Sequence, residues 1–135
     1  MDLTLSTCFV LVSDPELAPA FYRDTLGLEV RNDVANGDFR WITVGGSSQP
    51  GVNIVLTNYL MGSPADNDQL AALLAKGALN GVNFSSKDVD ADFAKVRDAG
   101  AEIVQEPTEQ FWGAKDFAVR DPSGNMVRVE QRPGA

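Results

Sequence analysis

The run DPELAPAFYRDTLGLEV, residues 14–30, contains the start, body and end of one helix and the entry into a strand. Asp14 is placed to cap backbone amides, and Pro15 suits the first helical position, where its missing N–H costs nothing. The spacing predicts a helix over 15–26 with Leu17, Ala20, Phe21 and Leu26 along one side, and Gly27 stops it. Upstream, residues 3–12 (LTLSTCFVLV) form a strand-like run. Downstream, strand-like segments at 28–34, 38–44 and 51–58 are separated by the turn sequences Asn36-Gly37 and Gly45-Gly46-Ser47-Ser48.

The same order recurs from about Asn80. GVNFSS reads as a strand, Asp88 caps a helix through Ala99, and Gly100 stops it. AEIVQ, KDFAVRD and NMVRVEQ supply three more strands, with the turn Asp121-Pro122-Ser123-Gly124 before the last. Asp14 and Arg23 match Asp88 and Arg97 at an offset of 74, whereas Gly27 matches Gly100 at 73. One residue is therefore deleted between helix and strand in the second copy. The expected architecture is α+β: two tandem βαβββ modules forming an open, cleft-lined sheet or barrel. Module one covers about 3–60, module two about 80–132, and 61–79 connects them within one domain spanning 1–135. The middle of the connection suits a short helix.

The chain has 135 residues, 44% of them hydrophobic, which supplies one core and leaves no room for a second unit. Its formal charge of −8 argues against nucleic acid and anionic membrane as partners and suits a cationic ligand. No apolar run approaches the roughly 18 residues of a spanning helix, and the first residues do not read as a secretory leader. The lone cysteine, Cys8, forms no internal disulfide, which fits a reducing cytoplasm, and its apolar run predicts a buried thiol. There is no histidine, so the commonest general base and transition-metal ligand are both missing.

Strand alternation assigns two kinds of face. Cys8, Val10, Val12, Ile54, Leu56, Val82, Phe84, Val127 and Val129 form apolar sets suited to packing under helices. The opposite sets are mixed: Thr7 and Phe9; Asn53, Val55 and Thr57; Gly81, Asn83 and Ser85; Met126, Arg128 and Glu130. A buried core does not tolerate such polar positions unpaired, but a lined cleft does.

The pattern resembles the vicinal-oxygen-chelate (glyoxalase/bleomycin resistance protein/dioxygenase) superfamily. The resemblance covers nearly the whole chain, through DPELAPAFYRDTLGLEV, its echo DVDADFAKVRDAGAEI at 88–103, and FWGAKDFAVRDPSGNMVRVEQ at 111–131. It implies four metal-ligand positions, occupied here by Thr7, Val55, Gly81 and Arg128, none of which ligates a divalent cation. The resemblance is therefore nearest to the metal-free bleomycin-resistance type: dimeric proteins that sequester an aromatic natural product without changing it, with neither metal nor other cofactor. Exposed sheet edges also favour a homodimer.

The aromatic surface expected to hold such a ligand comprises Phe9, Phe39, Trp41, Phe111 and Trp112, because π-faces stack on planar molecules. Phe111 and Trp112 are expected to close over it. Thr7, Asn53, Val55, Thr57, Asn83, Arg128 and Glu130 line the remainder, with Arg128 either gripping a carboxylate or phenolate or pairing with Glu130 or Glu102. The competing expectations are a glyoxalase-like lyase or dioxygenase-family enzyme using groups such as Glu130, Asp116 or Tyr22, and an interaction module that binds no small molecule.

Overall fold

The computed structural model describes residues 1–59 and 61–133. Its strands are β1 Thr7–Leu11, β2 Glu29–Asn36, β3 Phe39–Gly45, β4 Asn53–Thr57, β5 Asn80–Ser85, β6 Glu102–Glu109, β7 Lys115–Arg120 and β8 Met126–Gln131. They form two four-stranded sheets, ordered β1-β4-β3-β2 and β5-β8-β7-β6. In each, the first strand lies parallel to the last while the other pairings are antiparallel. The chain is α+β with the anticipated duplication, and the two sheets stay open and separate.

The helices follow from local chemistry. α1, Pro64–Ala75, crosses the connection and starts with a capping box. The Ser63 hydroxyl accepts from the Asp66 N–H at 3.2 Å, and the Asp66 carboxylate accepts from the Ser63 N–H at 2.9 Å. α2, Val89–Asp98, begins at Asp88, whose carboxylate accepts from the Ala91 N–H at 3.1 Å. The first module departs from the predicted helix over 15–26. There Asp14 caps only a turn, accepting from the Glu16 N–H at 3.1 Å, and a π-helix occupies Ala20–Thr25. The Leu26 N–H reaches five residues back to the Phe21 carbonyl at 2.9 Å. Module one has one more residue than module two between its matched arginine and glycine, and the wide turn absorbs it. Pro19, lacking an N–H, cannot donate within a longer regular helix.

One core serves both modules. Val10, Val12, Ile42, Val44, Ile54 and Leu56 come from the first sheet and Phe117, Val119, Val127 and Val129 from the second, with Phe21, Tyr22, Val89, Phe93 and Val96 between. Burying each large side chain contributes about 1.5–3 kcal/mol. Val82 and Phe84 pack against its margin. Cys8 corrects the expectation of a buried thiol: it shares parity with Val10, but at the outer end of β1 it is exposed. No helix among the described residues is long and apolar enough to cross a membrane.

The Asp121–Asn125 turn latches the modules together. Asp121 Oδ1 accepts from the backbone N–H groups of Ser123, Gly124 and Asn125, each at 2.9 Å. Its Oδ2 accepts from the Tyr22 hydroxyl at 2.7 Å and from Asn125 Nδ2 at 2.8 Å. Asn125 Nδ2 also donates to the Leu11 carbonyl at 2.7 Å, and the Ser13 N–H donates to Ser123 Oγ at 3.0 Å. Burial first, then the Asp121 charge, push the Tyr22 phenol well above its ordinary value, so it stays a protonated donor. Tyr22 is thus a structural bolt rather than an available acid–base group. Gly124, at φ +111°, lies so close to the Leu74 carbonyl that any Cβ there would collide with it, which seats the end of α1 on the turn.

Two outcomes are expected. Tyr22→Phe should lower stability by about 2 kcal/mol in urea unfolding, since it removes a buried hydrogen bond to a carboxylate. Gly124→Ala should destabilise more than Gly27→Ala in thermal unfolding, because both positions have positive φ but only at Gly124 does the added carbon meet backbone.

Candidate functional site

Each sheet buries one face in the shared core and turns the other away from it. Register defines the outward face of the first sheet: Thr7 lies beside Asn53, Phe9 and Thr43 flank Val55, and Leu11 and Trp41 flank Thr57. Four aromatic rings gather here. Phe9 meets Trp41 edge-on at 5.4 Å between centroids, Phe39 lies 6.1 Å from Trp41, and Tyr59 meets Phe39 at 5.9 Å. Phe9 and Tyr59 each keep more than half of their surface exposed. Contiguous exposed aromatic surface of this kind is uncommon on a protein that binds nothing. Phe9, Phe39 and Trp41 were anticipated, whereas Tyr59 escaped sequence reasoning because it stands beyond the alternation of β4.

The polar positions on this face are mostly committed to the fold. Asn53 Oδ1 accepts from Arg31 Nη1 at 2.9 Å, and its Nδ2 donates to the Ser6 carbonyl at 3.3 Å. Arg31 also donates to the carbonyls of Val52, Gly46 and Gln49, pinning the β3–β4 loop. The buried Thr57 hydroxyl is occupied by the Tyr59 backbone, and Val55 is buried. Asn53 and Thr57 are therefore supports of the aromatic face rather than free anchors, and Thr7 sits half-buried at its edge.

On the second sheet, Asn83, Arg128 and Ala118 lie side by side, as do Ser85, Glu130 and Asp116. Arg128 pairs with neither of the acids expected for it. Glu130 is taken by Arg132 and Glu102 by Arg120, and Arg128 Nη1 instead lies 3.1 Å from Asp116 Oδ2. Asp116 is wholly buried, with its Oδ1 accepting from Gln105 Nε2 at 2.8 Å and Gln110 Nε2 at 2.9 Å. Burial opposes its ionisation, but the Gln110 and Gln105 amides and the Arg128 charge outweigh that and hold its carboxyl below the usual value of 3.8. Gln105 and Gln110 are absent from the sequence reading, because only the irregular β6–β7 register brings them to Asp116.

Phe111 and Trp112 stand at the β6–β7 tip, 97% and 55% exposed, with their rings edge-on at 4.9 Å. Within one chain the two rings meet each other and both stay largely exposed. Three surface grooves lie elsewhere: one of about 480 Å³ beside the latch, one of about 500 Å³ between the π-helix and α2, and one of about 280 Å³ near Lys115. None of the three is lined by Phe9, Phe39, Trp41, Trp112 or Arg128.

The four positions implied as metal ligands do not fit a metal ion. Thr7 offers a hydroxyl, Val55 a buried hydrocarbon, and Arg128 a positive charge. Gly81 offers no side chain, and a Cβ there would approach the Met126 carbonyl to 2.9 Å. Among the described residues, no group of three or more acidic, cysteine or histidine side chains is placed to hold one.

Comparison with known proteins agrees with this architecture. A protein of Bacillus subtilis (strain 168), YurT, is 29% identical over 125 residues, covering 91% of this chain and 94% of its own. The crystal structure of UcmS2 superposes with a TM-score of 0.84 at 33% identity, covering 96% of this chain and 98% of UcmS2. TnmS3, an antibiotic-binding protein from Streptomyces sp. CB03234, superposes with a TM-score of 0.74 at 27% identity over 97% of both chains. The model of the Glyoxalase/Bleomycin resistance protein/Dioxygenase superfamily matches residues 4–129, and this chain, with its two βαβββ sheets, belongs to that superfamily.

Proposed function

We propose that the protein binds a flat aromatic small molecule, of the antibiotic class, and holds it without chemical change. The observation that carries this reading is the ring cluster of Phe9, Phe39, Trp41 and Tyr59 on an outward sheet face. Rings joined edge-to-face present both π-faces and edges, and a planar ligand stacked on them gains about 0.5–1.5 kcal/mol per ring beyond the area it buries. The likeness to TnmS3, an antibiotic-binding protein, supports the ligand class.

The ligand site is completed by a second copy of the chain. One chain leaves its aromatic face and the Phe111–Trp112 tip uncovered, and a homodimer that set the tip of one copy over the face of the other would enclose a ligand between them. No metal takes part in this reading, and Glu130 serves as lining rather than as a base.

The test is thermal shift and tryptophan fluorescence against bleomycins, mitomycins, phenazines and quinoxaline peptides, with and without a chelator, followed by mass analysis of the recovered compound. At least one should bind saturably and leave with unchanged mass, insensitive to the chelator. Trp41→Ala should weaken that binding about tenfold while the unfolding midpoint moves by only a few degrees. A changed ligand mass makes the protein an enzyme, and unchanged affinity in Trp41→Ala removes the aromatic face from the site. Light scattering should give twice the chain mass.

A further inference from the structure

The outward face of the second sheet holds an arginine that is half satisfied. Arg128 Nη1 is used from behind, by Asp116 Oδ2 at 3.1 Å and by Gln105 Oε1 at 3.3 Å. Nη2 touches only the Met126 sulfur at 3.7 Å, a weak acceptor, and Nε has no acceptor among the described residues. The side chain is 27% exposed, so this unused edge is partly withdrawn from water yet still open to a ligand.

The group behind it is built to hold it there. Asp116 is wholly buried, and its Oδ2 has no aligned hydrogen-bond donor despite the nearby guanidinium. Two glutamine amides fix Oδ1, and Gln105 Nε2 also donates to the Asp116 carbonyl at 3.1 Å. Gln110 closes the base of the aromatic tip as well: its N–H donates to the Ala114 carbonyl at 2.8 Å, and its carbonyl accepts from the Gly113 N–H at 3.0 Å. One buried carboxylate thus steadies both Arg128 and the base of the turn bearing Phe111 and Trp112.

Building on the aromatic-ligand reading above, we propose that the Nε–Nη2 edge of Arg128, supplied by the copy whose Phe111–Trp112 tip covers the aromatic face, is the ligand's polar anchor, and that the ligand carries acceptor oxygens conjugated to its aromatic body, as a carboxylate, sulfonate or ring carbonyl. A guanidinium fork matches two acceptor positions in one plane, and a hydrogen bond from a charged donor is about twice as strong as a neutral one. The chain's overall −8 suggests a cationic ligand, but the local donors ask for the opposite. Asp116 acts as a positioning residue, since it reaches the ligand only through Arg128.

The test uses two matched pairs of probes with the full-length protein. 8-Anilinonaphthalene-1-sulfonate and N-phenyl-1-naphthylamine share a skeleton and differ by the sulfonate. 9-Fluorenone and fluorene differ by the carbonyl. The oxygen-bearing member of at least one pair should bind about tenfold tighter than its partner, and the pair that shows this tells the anionic class from the carbonyl class. Arg128→Gln should erase the preference while leaving the oxygen-free member within about twofold, and Asp116→Asn should reduce the same ratio. Equal binding within both pairs by the unaltered protein overturns the anchor and leaves the aromatic site standing, and this holds even if a variant fails to fold. A preference that survives Arg128→Gln also overturns it. Failure of all four probes to bind removes the aromatic site, and the anchor with it.

Discussion

The Asp121 carboxylate is the contact on which the rest of the molecule depends. Its two oxygens take the amides of its own turn, the Asn125 side chain and, across the module boundary, the Tyr22 hydroxyl. A buried carboxylate so fully satisfied contributes without the penalty of an orphaned charge. It also aligns the two sheets, because Asn125 binds Leu11 at the end of β1 and Ser123 binds Ser13 two residues beyond it. With the helix-covered faces thus locked into one core, both remaining faces have to point outward. The candidate ligand surface is therefore a by-product of how the interior is closed.

Much of this was legible in the sequence because it rests on local rules. Asp88, Gly27 and Gly100 mark helix ends by chemistry that acts over a few residues, and the alternation of β1, β4 and β8 sorts core from open face residue by residue. The one-residue mismatch between the copies was visible as well. Its structural meaning, a π-helix, was not, since winding depends on how Phe21 and Tyr22 both find burial. Cys8 misled for a related reason: alternation tells which side a residue faces, but not whether anything lies over it.

The site was less legible than the fold. Phe9, Phe39 and Trp41 were found by parity, yet Tyr59 joins them from irregular chain beyond a strand end. Asn53 and Thr57 share parity with the aromatic face but spend their polar atoms on Arg31, Ser6 and Tyr59. The pairing of Arg128 with Asp116 depends on the register between β7 and β8, which places Glu130 opposite Asp116 and shifts Arg128 one step along. Parity identifies a face, whereas hydrogen-bond partners determine which of its residues remain free.

The latch also breaks the equivalence of the two copies. By the offset that aligns the helices, the position of Tyr22 in the second module is Val96, which has no hydroxyl to give. The carboxylate, in turn, belongs to the second module's last turn. Two first modules brought together would carry two donors and no acceptor; two second modules would carry the reverse. The duplicated unit has thus become heterotypic: this hydrogen bond forms only between unlike halves.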